Sequence, residues 1–206
     1  MIAAFVCISG SAFADEVTIL AFGDSLTQGY GLDQGDGFVP QLQAWLQMQG
    51  IDARVLNAGV SGDTTAGGAA RIAWSLTPDI DAVIVALGGN DMLRGLPVAG
   101  MRENLAAILT TIAKQDVPVL LVGEVAPDNF GAHYKAGFDA VFAELASEYD
   151  VALFANFLQG LEDVGDRGTV LREYMQGDAT HPNAAGVLLV VKRMGPAVLR
   201  LIEGGE

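Results

Sequence analysis

Ser25 follows an apolar stretch, Ile19-Leu20-Ala21-Phe22, and stands within Gly23-Asp24-Ser25-Leu26, so that a strand would end in a glycine-flanked Asp-Ser pair. A hydroxyl at the carboxyl end of a strand is fixed by the strand and exposed by the loop, the placement in which α/β folds gather their chemistry. As a nucleophile it needs a base, and the chain offers only two histidines, His133 and His181. His181 lies in Gly177-Asp178-Ala179-Thr180-His181-Pro182-Asn183, a segment that its Gly and Pro mark as a loop. Asp178, three residues ahead of the ring, can accept from one imidazole nitrogen and leave the other free to take the serine proton. Ser25, Asp178 and His181 therefore form a candidate triad. The competing reading makes Asp178 a cap of the helix after Pro182 and His181 a surface residue. His133 has no acid within three residues to orient it, which suits a loop or substrate-side position better than the role of base.

Acyl transfer also requires donors aimed at the developing oxyanion, and two glycine-rich clusters follow apolar runs. Asn57-Ala58-Gly59-Val60-Ser61-Gly62-Asp63-Thr64-Thr65 follows Val55-Leu56, and its glycines let backbone N–H groups approach a ligand closely. Gly88-Gly89-Asn90-Asp91 follows Ala82–Leu87, and an Asn amide there can donate without carrying charge. Taken singly, each cluster reads as well as a tight turn, with Asp63 or Asn90 capping the next helix.

In order along the chain, Gly23-Asp24-Ser25-Leu26, Gly59 to Gly62, Gly88-Gly89-Asn90-Asp91 and Asp178-Ala179-Thr180-His181-Pro182 resemble the four signature blocks of the SGNH or GDSL hydrolases. The resemblance covers nearly all of the chain and is closest to the bacterial thioesterase, lysophospholipase and arylesterase branch. It implies a three-layer α/β/α sandwich with a five-stranded parallel sheet, in which Ser25 is nucleophile, His181 base and Asp178 its orienting acid. It further implies an oxyanion hole made by the Ser25 and Gly62 N–H groups and the Asn90 amide. Asp24, Asn129, Phe130 and Tyr134 become the candidate substrate-side residues, the last three because a loop like Pro127–Gly131, with Tyr134 and Phe138 after it, borders the acyl site in that branch. Glu124 and Val125 stand where the resemblance implies an apolar and a basic residue, a departure that bears on substrate preference and not on the triad. The implied activity is hydrolysis of carboxylic ester or thioester bonds in small acyl substrates through an acyl-enzyme, with no metal or organic cofactor. A carbohydrate O-deacetylase of the same fold is the alternative.

Two readings from other classes compete on the residues alone. Asp24, Asp63, Asp91 and Asp178 all fall near strand ends and, as hard oxygen ligands, suit Mg²⁺ in a phosphohydrolase. A non-catalytic phosphate-binding module is disfavoured, since neither G-x-x-x-x-G-K-[ST] nor a complete G-x-G-x-x-G occurs. The glycines of Gly31–Gly37, with Asp33 and Asp36 between them, lack calcium-loop spacing and read as a solvated turn.

The elements that must position these groups follow from periodicity. Val17–Phe22, Arg54–Asn57, Ala82–Leu87, Val117–Val122 and Val151–Phe154 read as strands, the third buried on both faces. Phe38–Met48, Thr65–Leu76, Met101–Gln115, Tyr134–Glu148 and Asn183–Ile202 read as helices, the second capped by Asp63 or Thr64. Such alternation implies a parallel sheet covered on both sides. A chain of 206 residues suits one domain, expected over residues 15–206. Its formal charge of -14 repels nucleic acid and anionic membrane surfaces. Residues 1–14 differ from the rest: an uncharged apolar stretch ending in Ala12-Phe13-Ala14 reads as a secretory signal cut after Ala14. Removing it would take away Cys7, the only cysteine, and leave no segment able to span a membrane, with a periplasmic or secreted address.

Overall fold

The computed structural model describes residues 16–204, so the expected signal segment and Cys7 lie outside the described residues. From the amino end run β1 (Val17–Gly23), α1 (Ser25–Gln28), α2 (Phe38–Met48), β2 (Ala53–Gly59), α3 (Thr65–Ser75) and β3 (Ala82–Ala86). Then come α4 (Gly89–Leu93), α5 (Val98–Ile112), β4 (Val119–Val122), α6 (Ala132–Tyr149) and β5 (Ala152–Phe154). The chain closes through α7 (Gln159–Glu162), α8 (Arg167–Thr169), which continues as a wider π turn to Tyr174, and α9 (Ala184–Ile202). The strands form one parallel sheet in the order β2-β1-β3-β4-β5.

Side chains alternate across each strand, so β1 sends Leu20 and Phe22 to one face and Ile19 and Ala21 to the other. On the first face they pack with Val83, Val85 and Leu121 beneath Ile72 of α3, Leu105 and Ile108 of α5 and Phe138 and Phe142 of α6. On the second they meet Ile84 and Leu120 beneath Leu42 and Leu46 of α2 and Val190 and Met194 of α9. Both faces being covered explains why β3 reads as an unbroken apolar run. The expected α/β/α sandwich is present. Thr64 caps α3 through its side chain, whereas Asp63 is engaged elsewhere. β4 begins two residues later than its apolar run, because Pro118 has no N–H to give a ladder and contributes its carbonyl to Val83 instead. The four- and five-residue helices α1 and α4 went unread, being too short to show a period.

The chain crosses from one side of the sheet to the other between β1 and β3, the switch point at which sheets of this strand order open a crevice. Both adjoining strands end in glycine turns leading directly into α1 and α4. Packing at this edge is tight: a Cβ on Gly59 would lie 2.3 Å from the Gln28 nitrogen of α1. Gly59→Ala should therefore push α1 aside and cost about 1–3 kcal/mol in chemical denaturation. Gly100→Ala, on open helical surface in α5, should instead stabilise by about 0.5–1 kcal/mol.

Candidate active site

Ser25 is the first residue of α1, immediately after Asp24, whose carboxylate accepts the Leu26 N–H at 3.0 Å and caps the helix. The His181 Nε2 lies 2.9 Å from the Ser25 Oγ, and its Nδ1 lies 2.6 Å from the Asp178 Oδ2. The other Asp178 oxygen accepts the Thr180 and His181 N–H groups at 2.9 and 3.0 Å, so the acid is built into the turn that carries the base. These bonds, the His181 main-chain bond foremost, hold the Asp178 carboxyl down at about 2. Asp178 thus does not cap α9; Asn183 does, accepting from the Gly186 N–H.

The turn is itself moored to the serine side. The Gln176 amide donates to the Tyr30 carbonyl at 2.8 Å and to the Pro182 carbonyl at 3.0 Å, and its N–H donates to the His181 carbonyl. The Tyr30 ring packs against the imidazole with centroids 4.8 Å apart.

Asn90, in the first turn of α4, donates its amide to the Asp24 Oδ2 at 3.0 Å. One amide hydrogen remains for a ligand. Among the described residues the Ser25 and Gly62 N–H groups have no acceptor. Gly62 has φ +77°, which a Cβ would strain, and the Arg94 guanidinium donates to its carbonyl at 2.6 Å. Arg71 braces the same loop from behind: it lies 3.9 Å over the Phe22 ring, donates to the Gly23 and Ala58 carbonyls and pairs with Asp63.

These groups line a cleft of about 1020 Å³ that runs on past the β3 and β4 loops to the short helices before α9. Residues 21–188 match the GDSL-like Lipase/Acylhydrolase family. The chain belongs to that family. It is 37% identical to Esterase TesA of Pseudomonas aeruginosa, over 90% of this chain and 89% of that protein. It is 33% identical to Thioesterase 1/protease 1/lysophospholipase L1 of Escherichia coli, over 81% of this chain and 76% of the relative. Among solved structures, AlinE4, an SGNH-hydrolase family esterase, is 45% identical with a TM-score of 0.74, covering 92% of this chain and 98% of its own.

The fold brings together Ser25, Asp178, His181, Gly62, Asn90 and Asp24, but not the remaining residues named for the substrate side. Asn129 is exposed outside the cleft, while Phe130 and Tyr134 stack at 5.5 Å against the α6 core, with the Tyr134 hydroxyl on the Leu96 carbonyl. Tyr134, Phe138 and Phe142, at four-residue steps along α6, form a packed helical stripe, and Phe130 packs onto its end from the turn before Gly131. His133 sits in the first turn of α6, exposed and away from the cleft, so neither a loop nor a substrate-side position holds for it. Nor do the carboxylates proposed for Mg²⁺ converge: Asp63 pairs with Arg71, buried Asp91 accepts from the Thr65 N–H and hydroxyl, and Asp24 serves Asn90. Among the described residues no three acids and histidines gather as metal ligands would.

Glu124, just beyond β4, opens into the cleft beside Gly89. Burial, with the Asp24 charge next, pushes its carboxyl up to about 8 from an ordinary 4.5. Burial likewise raises Asp24 from 3.8 to about 6, against the pull of its Leu26 and Asn90 bonds. Both groups bind protons more tightly folded than unfolded, so the stability they contribute is complete below pH ~4 and is lost as pH rises through 6 and 8. The melting temperature should fall between pH 5 and 9, and Glu124→Gln should flatten the upper part of that fall.

Proposed function

We propose that this protein hydrolyses carboxylic esters of small acyl groups, and thioesters less readily, by nucleophilic catalysis at Ser25. The observation that carries this reading is the unbroken hydrogen-bonded line from the Ser25 Oγ through His181 to Asp178 at the head of an open cleft. Membership of a family whose similar members are named esterases, an arylesterase and a thioesterase supports it.

The His181 Nε2 accepts the Ser25 proton as Oγ attacks the acyl carbon, and the resulting imidazolium is balanced by Asp178, which stays ionised down to about pH 2. Charge developing on the carbonyl oxygen meets the free Ser25 and Gly62 N–H groups and the Asn90 amide, which Asp24 holds in place. His181 then protonates the leaving oxygen or sulfur, and a water activated by the same ring releases the acid. Secretion after removal of residues 1–14 belongs to the same proposal.

The ranking of esters over thioesters rests on charge. A polyanionic thioester such as an acyl-CoA approaches a chain of charge -14 whose cleft carries Asp24, Asp128 and Glu162 beside Lys135 and Arg167. Its hydrolysis should therefore rise as salt screens the repulsion, whereas kcat/KM for a neutral p-nitrophenyl ester should hardly move.

Ser25→Ala should lower ester hydrolysis by roughly 10⁴-fold or more in a protein of unchanged circular dichroism, since members of a triad act as a unit. Asn90→Ala should reduce kcat by ~10²–10³-fold with little change in KM, the scale for one oxyanion donor. His133→Ala should turn over at the wild-type rate. Normal turnover by folded Ser25→Ala would refute the assignment.

A further inference from the structure

Glu124 is a carboxyl for which the proposed mechanism has no use. It lies in the cleft against Gly89, one residue before Asn90, and no side chain among the described residues hydrogen-bonds to it. The nearby Lys135 ammonium is turned away, donating to the Ala126 carbonyl and pairing with Asp139. Apolar side chains, Met92, Leu93, Val125 and Ala126, line the same cleft. Among the described residues its hydrogen-bond partner is the Gly89 N–H, which leaves acceptor capacity unmet, and a plain alkyl chain laid over the carboxyl would complete its desolvation. A ligand hydroxyl would relieve it.

The leaving oxygen or sulfur must face His181 to receive its proton, which leaves the acyl chain to the wall formed by the loops after β3 and β4. That wall is where Glu124 stands. Resting on the esterase reading above, we propose that Glu124 sets acyl specificity, favouring short acyl groups bearing a hydroxyl a few atoms from the carbonyl over plain long alkyl chains. A site built to hydrogen-bond a substrate hydroxyl discriminates against the analogue lacking it, because its own polar group is then left unpaired.

The test compares kcat/KM for the p-nitrophenyl esters of 3-hydroxybutyrate, butyrate and octanoate, each divided by its rate of alkaline hydrolysis to remove intrinsic reactivity. The unaltered enzyme should prefer hydroxybutyrate to butyrate and butyrate to octanoate. Glu124→Leu should lower the hydroxybutyrate-to-butyrate ratio ~10-fold and raise the octanoate-to-butyrate ratio by a similar factor, about the worth of one net hydrogen bond. Glu124→Gln, which keeps shape and hydrogen-bonding capacity, should hold the first ratio within about threefold of wild type. Ratios left unchanged by Glu124→Leu would overturn the proposal. So would a wild-type preference for butyrate over hydroxybutyrate, a result that stands even if the leucine variant does not fold. Loss of all three activities in Ser25→Ala separates these outcomes from failure of the esterase reading itself.

Discussion

The 2.9 Å contact between the Ser25 hydroxyl and the His181 ring joins groups 156 residues apart, and most of the surrounding structure serves to keep that distance. Neither partner sits on a long element. Ser25 opens a four-residue helix, which alone would not be stable in water, and His181 lies on a turn. The serine is held instead by β1, fully buried in mid-sheet, by the Asp24 cap and by the contact of Gly59 with the α1 backbone. The histidine is held by its own acid, by Gln176 and by the Tyr30 ring. Gln176 and Tyr30 tie the two halves together directly, so the triad depends on a brace outside its own members.

Three carboxyls within this small region titrate in different ways, and their surroundings account for the spread. Asp178 is largely exposed and accepts two main-chain N–H groups as well as the imidazole, so its charged form is favoured. Asp24 accepts comparable bonds but is buried, and desolvation outweighs them. Glu124 lacks their side-chain partners and feels the Asp24 charge as well, so it is displaced furthest. The order shows which term decides each case: hydrogen bonds where solvent remains, desolvation where it does not.

The strands and long helices were legible because both sheet faces are buried and each helix presents an apolar stripe, patterns that local sequence carries. α2 was read with its observed limits, bounded by glycines at Gly37 and Gly50. The hydrogen-bonded line of Ser25, His181 and Asp178 was legible for a different reason: with only two histidines and one of them beside an acid, few combinations existed. What escaped was partnership across distance. The bond from Asn90 to Asp24 spans 66 residues, and that from Arg71 to the Gly23 carbonyl spans 48. No periodicity encodes either. Tyr134 stands four residues before Phe138 on α6, a spacing that marks it as packed, whereas nothing in the local pattern places Phe130, which lies beyond Gly131, against it.

In the proposed mechanism, reaction and selection rest on different parts of the molecule. Its reacting groups and donors hang from the ends of β1 and β3, where burial makes displacement costly, and from the exposed turn before α9, which hydrogen bonds hold instead. The walls come from the stretch after β4 and from α7, α8 and the π turn, where Val125 and Leu171 are solvent-exposed. Exposed side chains of this kind contribute little to folding stability, so they can be exchanged without disturbing the triad. Glu124 stands at the boundary between the two regions. It touches Gly89 on one side and opens to the cleft on the other, so under the proposed acyl specificity a change there would act on the bound acyl group and on the field around the Asn90 turn at once.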